Sequence, residues 1–176
     1  MNRTLISFIT LSFAFFLTTG CGGPARPAGM PKLYPASITV IQDGEPLAGA
    51  LVLLSSEDPE LVRWGPTGIT DEQGVVVLRT DGKYNGAPLG TFKVVVEKRD
   101  RDPHPHPEWA SLPPENPNYR RYDIMEMARK NYDLVELHYG SIVDTPLTVE
   151  ITAKRKNYTV DVGKSVRILL KDTGAP

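Results

Sequence analysis

The chain has a single cysteine among 176 residues, so no disulfide can form within it. Small exported domains usually pair their cysteines, so Cys21 calls for another use. Positive charge is not in surplus either: 20 basic against 21 acidic side chains give a formal net charge of −1. That balance leaves no electrostatic footprint for nucleic acid and no polybasic membrane patch. There are three histidines, none in a context that suggests a general base. The Gly-x-Ser-x-Gly elbow of hydrolases is missing as well. No long apolar run is present: Leu5 to Leu17 is too short for a bilayer core, which takes about 20 residues. What is abundant is turn chemistry. Sixteen prolines and fifteen glycines argue against a helical bundle and for many short strands joined by turns.

The N-terminus has the order of a secretory signal. Arg3 precedes the apolar stretch, and Thr18-Thr19-Gly20 lead to Cys21. The Thr-Gly-Cys ending resembles the lipobox of bacterial lipoproteins, with Thr18 where that family usually has Leu. The resemblance implies cleavage before Cys21, a diacylglyceryl group on its thiol and acylation of the new amine. Residues 1–20 are then the signal, and residues 21–36, rich in Gly and Pro, are a flexible tether. The protein is expected to be exported and held by lipid at a membrane, outer membrane or envelope, facing periplasm or exterior. Gly22 after the cysteine fits an outer-membrane address.

From Ser37 the apolar residues recur at every second position. Ile38 and Val40 share a face. Ala50, Val52 and Leu54 form the next set, with Leu51 and Leu53 opposite. Val75 to Thr80 reads as a third strand, and Phe92, Val94 and Val96 alternate with Lys93 and Glu97 in another. Leu147, Val149 and Ile151, then Tyr158, Val160 and Val162, then Val166, Ile168 and Leu170 complete the pattern. One sheet cannot bury its own apolar face, so the expected fold is all-β: an antiparallel β-sandwich of about seven strands over residues 37–171. A Pro-rich loop and a short helix, residues 98–145, are inserted between the fifth and sixth strands. Residues 98–118 read as irregular, stiffened by Pro103, Pro105 and Pro107. Asn118 is the expected cap of a helix over Tyr119 to Lys130, with Tyr122, Met125 and Ala128 on one side. Residues 172–176 are a tail.

Three segments carry a second resemblance: Gly44-Glu45-Pro46-Leu47-Ala48-Gly49-Ala50, Thr70-Asp71-Glu72-Gln73-Gly74, and Gly86-Ala87-Pro88-Leu89-Gly90-Thr91-Phe92-Lys93-Val94. Together they are similar to the carboxypeptidase regulatory-like domain, a transthyretin-like (prealbumin-like) sandwich. Tyr139 with Thr145-Pro146-Leu147 resembles an extension found in small bacterial lipoproteins. The resemblance implies a fold and a non-catalytic module for stability or attachment. That fold also hosts a hydrolase with a C-terminal Tyr-Arg-Gly-Ser signature, which Lys171 to Pro176 does not match.

The chain is therefore read as a non-enzymatic lipoprotein displaying a sandwich for structural or protein–protein contact, with no cofactor. Two alternatives stand beside it. Trp109, Tyr119, Tyr122, Tyr132 and Tyr139 gather in the insertion, where flat rings could stack on a glycan or peptide from the envelope; the plainer reading is a satellite core. His104 and His106, two apart, could reach one metal, but a lasting site needs further ligands, so no metal is expected. Lys93 and Asn157 are considered for a Lys–Asn self-crosslink.

Overall fold

A computed structural model describes residues 25–170; the signal segment, Cys21 and the tail lie outside the described residues. The chain enters through β1 (Leu33–Tyr34) and runs into β2 (Ser37–Gln42), in which half-buried and buried residues alternate. Asp43-Gly44 turns it with both φ angles positive, 53° and 80°, as Asp-Gly hairpins do. β3 (Glu45–Pro46) and β4 (Leu51–Ser55) follow. A single 3₁₀ turn, Val62–Trp64, buries Trp64 before β5 (Pro66–Ile69). The expected strand Val75 to Thr80 is split: β6 (Val75–Val77) and β7 (Arg79–Thr80) flank Leu78. β8 (Tyr84–Asn85) and β9 (Ala87–Pro88) lead into the longest strand, β10 (Gly90–Glu97).

The first large sheet has the order β10–β4–β5–β7–β8, and every pairing in it is antiparallel. Its outer edge beyond β10 is β13 (Thr148–Ile151). The facing sheet is built on β2, with β3 and β6 along one edge. On the other edge lies β14 (Asn157–Asp161), and it runs parallel to β2. This one parallel pair departs from the expected all-antiparallel arrangement. The split at Leu78 has a clear geometric reason: β6 pairs in one sheet and β7 in the other, so Leu78 is the corner where the chain changes layers. Its amide donates to Ala36 O and its carbonyl accepts from Gly86 N.

Between the layers the apolar positions interdigitate. Ile38, Val52, Leu54, Phe92, Val94 and Val96 are fully buried, and Ile151, Tyr158 and Val160 close the same core. Each such side chain contributes roughly 1.5–3 kcal/mol, well above the 0–1 kcal/mol typical of an exposed ion pair. On the outer face Val95 is buried while Leu51 is exposed. The folded body begins ahead of Ser37: Leu33 and Tyr34 pair with Pro88 and Ala87, and Leu33 and Ala36 are buried. Gly86 permits that clip, since a Cβ there would sit 2.4 Å from Tyr34 O.

The three sequence segments that carry the transthyretin-like resemblance meet in this body. Thr70 is buried; its hydroxyl donates to Leu47 O at 2.6 Å and accepts from Ala50 N at 2.8 Å. Asp71 caps the next turn by accepting from Gln73 N and Val75 N. Gly74, at φ +70°, lies so close to Val40 O and Leu47 N that a Cβ would meet them at 2.7 and 2.9 Å.

The insertion is more ordered than its composition suggests. Residues 98–118 are not wholly irregular: β11 (Arg99–Arg101) pairs with β12 (Asn131–Asp133), which pairs with β15 (Ile168–Leu169). Pro107–Ser111 forms a 3₁₀ turn rather than polyproline geometry. The helix α1 spans Pro117–Met127, and Asn116, not Asn118, caps it by accepting from Asn118 N. Pro117 at its first position explains the shift, because proline suits a helix start and the residue before it favours extended geometry. No residue of α1 is fully buried, and no described helix is long and apolar enough to cross a membrane.

Candidate functional site

The histidines and most of the aromatic residues that the sequence singles out lie in the insertion. His104 is buried, and its ring stacks on Tyr122 with centroids 4.1 Å apart. Its Nδ1 accepts from His106 N at 2.9 Å, which leaves Nε2 to carry the hydrogen, 3.3 Å from Tyr122 O. Both nitrogens are thus engaged. His106 stacks on Trp109 at 4.0 Å, nearly parallel at 11°, and its Nδ1 lies 3.2 Å from Glu108. The His104 ring is bonded to the backbone amide of His106, and the two imidazoles stack on different partners, Tyr122 and Trp109. Among the described residues no three His, Cys, Asp or Glu side chains come together as metal ligands.

The five aromatic residues do not form one platform. Trp109 and Tyr122 are half-buried against the two histidines, and Tyr119 is half-buried on the first turn of α1. Tyr132 lies under the Arg167 guanidinium, 4.0 Å away. Tyr139 packs on the sandwich core and tilts against His138 at 4.0 Å. Trp109, Tyr122 and Tyr132 make local contacts within this region, and Tyr139 joins it to the core.

Sequence reasoning missed the ionic stitching of this region. The signal was there as Arg99-Asp100-Arg101-Asp102, charge alternating with the period of a strand. Asp100 and Asp102 each pair with Arg167 at 3.1 Å, while Arg101 reaches Glu126 of α1 at 2.7 Å. Arg129 binds both Glu126 carboxylate oxygens at 2.8 Å. The hydrogen bond from Arg129, helped by the charges of Arg129 and Arg101, holds the Glu126 carboxyl below its ordinary range. A carboxylate whose pKa is lowered by folding stabilises the fold above its unfolded value and loses that contribution as pH falls through the folded one. The amide protection factors of β11 and α1, taken relative to the intrinsic exchange rate at each pH, are therefore expected to fall on acidification through the carboxylate range, before those of the sandwich strands. Glu126→Gln should remove that pH dependence; an insertion equally protected at neutral and acid pH would contradict it.

A cleft of about 480 Å³ lies elsewhere, at the start of β10. Ser55, Glu57, Leu61, Gly90, Lys93 and Thr148 are among its walls. Its polar groups satisfy one another: Lys93 Nζ donates to Val143 O and lies 3.8 Å from Glu57, and Ser56 donates to Thr91 O. Its lining holds neither histidine nor cysteine. Lys93 is not beside Asn157, which bonds to the Ser37 hydroxyl at 2.9 Å, so the two do not meet as a crosslink requires. A scan of protein-family models, a search of curated proteins and a search of solved structures each found no match to this chain.

Proposed function

We propose that this chain is an exported lipoprotein, tethered through acylated Cys21, that displays a non-enzymatic sandwich at the envelope for structural or protein–protein contact. One observation carries the reading. Arg3, a short apolar stretch and Thr18-Thr19-Gly20-Cys21 stand in signal order, and the paired strand at Leu33 follows only twelve residues after the cysteine. A leash that short holds a folded body close to its anchor. The sandwich itself is read as a carboxypeptidase regulatory-like module, on the strength of its motif segments: residues 44–50 and 70–74 are bonded together through Thr70, and Leu47, Ala50, Phe92 and Val94 share one core. The surface offered for contact is the insertion, where Ile124, Met127, Leu137, Ile142 and Val143 are exposed. Such apolar side chains favour a protein partner over solvent.

Two or three acyl chains give effectively permanent attachment, at about 0.8 kcal/mol for each buried methylene. Intact mass of the mature chain should show a diacylglyceryl adduct and an N-acyl group on a residue-21 N-terminus. The wild type should pellet with membranes, and Cys21→Ser should move to the soluble fraction. A wild type that is unacylated and soluble overturns the proposal.

A further inference from the structure

The sandwich has two distinct ends. β2 and β14 both begin where the chain enters and finish near the insertion, with Gln42 Nε2 donating to Leu134 O at the far end. Three segments converge at the near end. Tyr84 donates its hydroxyl to Ala25 O at 2.7 Å, Ser37 N donates to Lys156 O at 2.8 Å, and Ser37 pairs with Val77. These segments, residues 25–37, 77–86 and 152–157, carry seven basic side chains and one acidic one, Asp81. Lys32, Arg79, Lys83, Lys154, Arg155 and Lys156 are all exposed there. Residues 98–145, at the other end, carry nine acidic and seven basic side chains, so the surplus belongs to one end only. The sequence alone showed no polybasic patch because these residues lie on three separate segments, and folding brings them together.

The strongest part of this surface is rigid. In the turn after β13, Arg155 stacks over the Tyr158 ring at 4.7 Å and donates to Asn157 O at 2.8 Å. The Tyr158 hydroxyl, in turn, donates to Arg155 O and accepts from Thr152 N. Lys154 and Lys156 therefore project from a fixed turn. The loop bearing Glu57, Asp58 and Glu60 borders this end across β10, with Lys93 paired to Glu57. The basic side chains still outnumber the acidic ones when that loop is included.

We infer that this basic end docks on an anionic bilayer surface, so that the body stands on the membrane with the insertion pointing away. The inference rests on acylation of Cys21. Ala25 lies four positions after Cys21, and a chain spans at most about 3.6 Å per residue. Ala25 is then held within about 14 Å of its anchor, less than two Debye lengths at physiological salt. Anionic lipid attracts nearby Lys and Arg at that range. Exposed Val77 and Leu89 lie at the same end, suited to the headgroup boundary.

The test uses the acylated full-length mature protein in vesicles. Once Cys21 is acylated, an introduced cysteine is the only free thiol, so Ala153→Cys (near end) and Met127→Cys (on α1, at the far end) can each take one fluorophore. Lipid-borne quenchers should quench the Ala153→Cys probe more in phosphatidylglycerol-containing vesicles than in phosphatidylcholine, and the Met127→Cys probe equally in both. Changing Lys154, Arg155 and Lys156 together to Gln should lower the docked-to-undocked ratio at least tenfold, and 1 M salt should do the same. An acylated protein whose two probes are quenched alike, or whose Ala153→Cys probe ignores lipid charge, overturns the docking and leaves the tether standing. A mass spectrum without acyl groups overturns both.

Discussion

Phe92→Ala is expected to lower the unfolding free energy by about 3–5 kcal/mol, read from urea melts followed by tryptophan fluorescence. Phe92 is fully buried on β10, opposite Val149 and in line with Val94 and Val96. It is the largest of the fully buried side chains, and truncation leaves a hole between the layers that neighbouring strands, held by ladders on both sides of β10, cannot collapse to fill. A domain of this size has about 5–15 kcal/mol in total, so the alanine variant sits near the edge of folding. Phe92→Leu keeps most of the volume and should cost about 1–1.5 kcal/mol. The ordering of the two variants therefore remains measurable even where alanine fails to fold. A loss below about 1 kcal/mol for alanine would mean that the ring does not lie in a dry core.

Thr70→Val should cost about 2–5 kcal/mol although it changes almost no volume. The hydroxyl serves two backbone groups at once, Leu47 O and Ala50 N. Valine leaves both without their hydroxyl partner in a buried place, and a buried group left unsatisfied costs about 1–3 kcal/mol. Thr70→Ser keeps the oxygen and loses only a methyl, worth about 0.8 kcal/mol. The contrast between the two substitutions separates hydrogen bonding from packing. If valine and serine were equally tolerated, the bridge from the Thr70 turn to the Leu47–Ala50 segment would contribute little.

The sandwich was legible because its faces obey a period of two that few other structures satisfy. Ile38 with Val40, Val52 with Leu54, and Phe92 with Val94 and Val96 were assigned to the core by alternation and are buried there. The Asp-Gly turns were legible for a similar reason: Asp43 and Asp81 both take positive φ beside a glycine that does the same. What alternation cannot encode is partnership. Nothing in Tyr158, Val160 and Val162 says that their strand runs parallel to β2, and nothing in Val75 to Thr80 says that the two halves belong to different layers. The insertion was misread for a different reason. Its short strands bury little apolar surface and are made of Arg, Asp, Asn and Tyr, so no hydrophobic signal exists to find. His104 and His106 were placed on one side by strand geometry, but the chain between them is not a strand; one ring is buried beneath Tyr122 while the other lies on Trp109.

The small sheet β11–β12–β15 takes its third strand from residues 168–169, long after its first two have been synthesised. Its closure therefore spans a large separation along the chain, and contacts of that kind form slowly. The sandwich also waits on the C-terminal part of the chain, because β13 closes the edge beyond β10 and β14 the edge of β2. The Arg167 clasp on Asp100 and Asp102 comes last. Folding thus has a built-in order, with the insertion fastened only after the strands of the sandwich are all present.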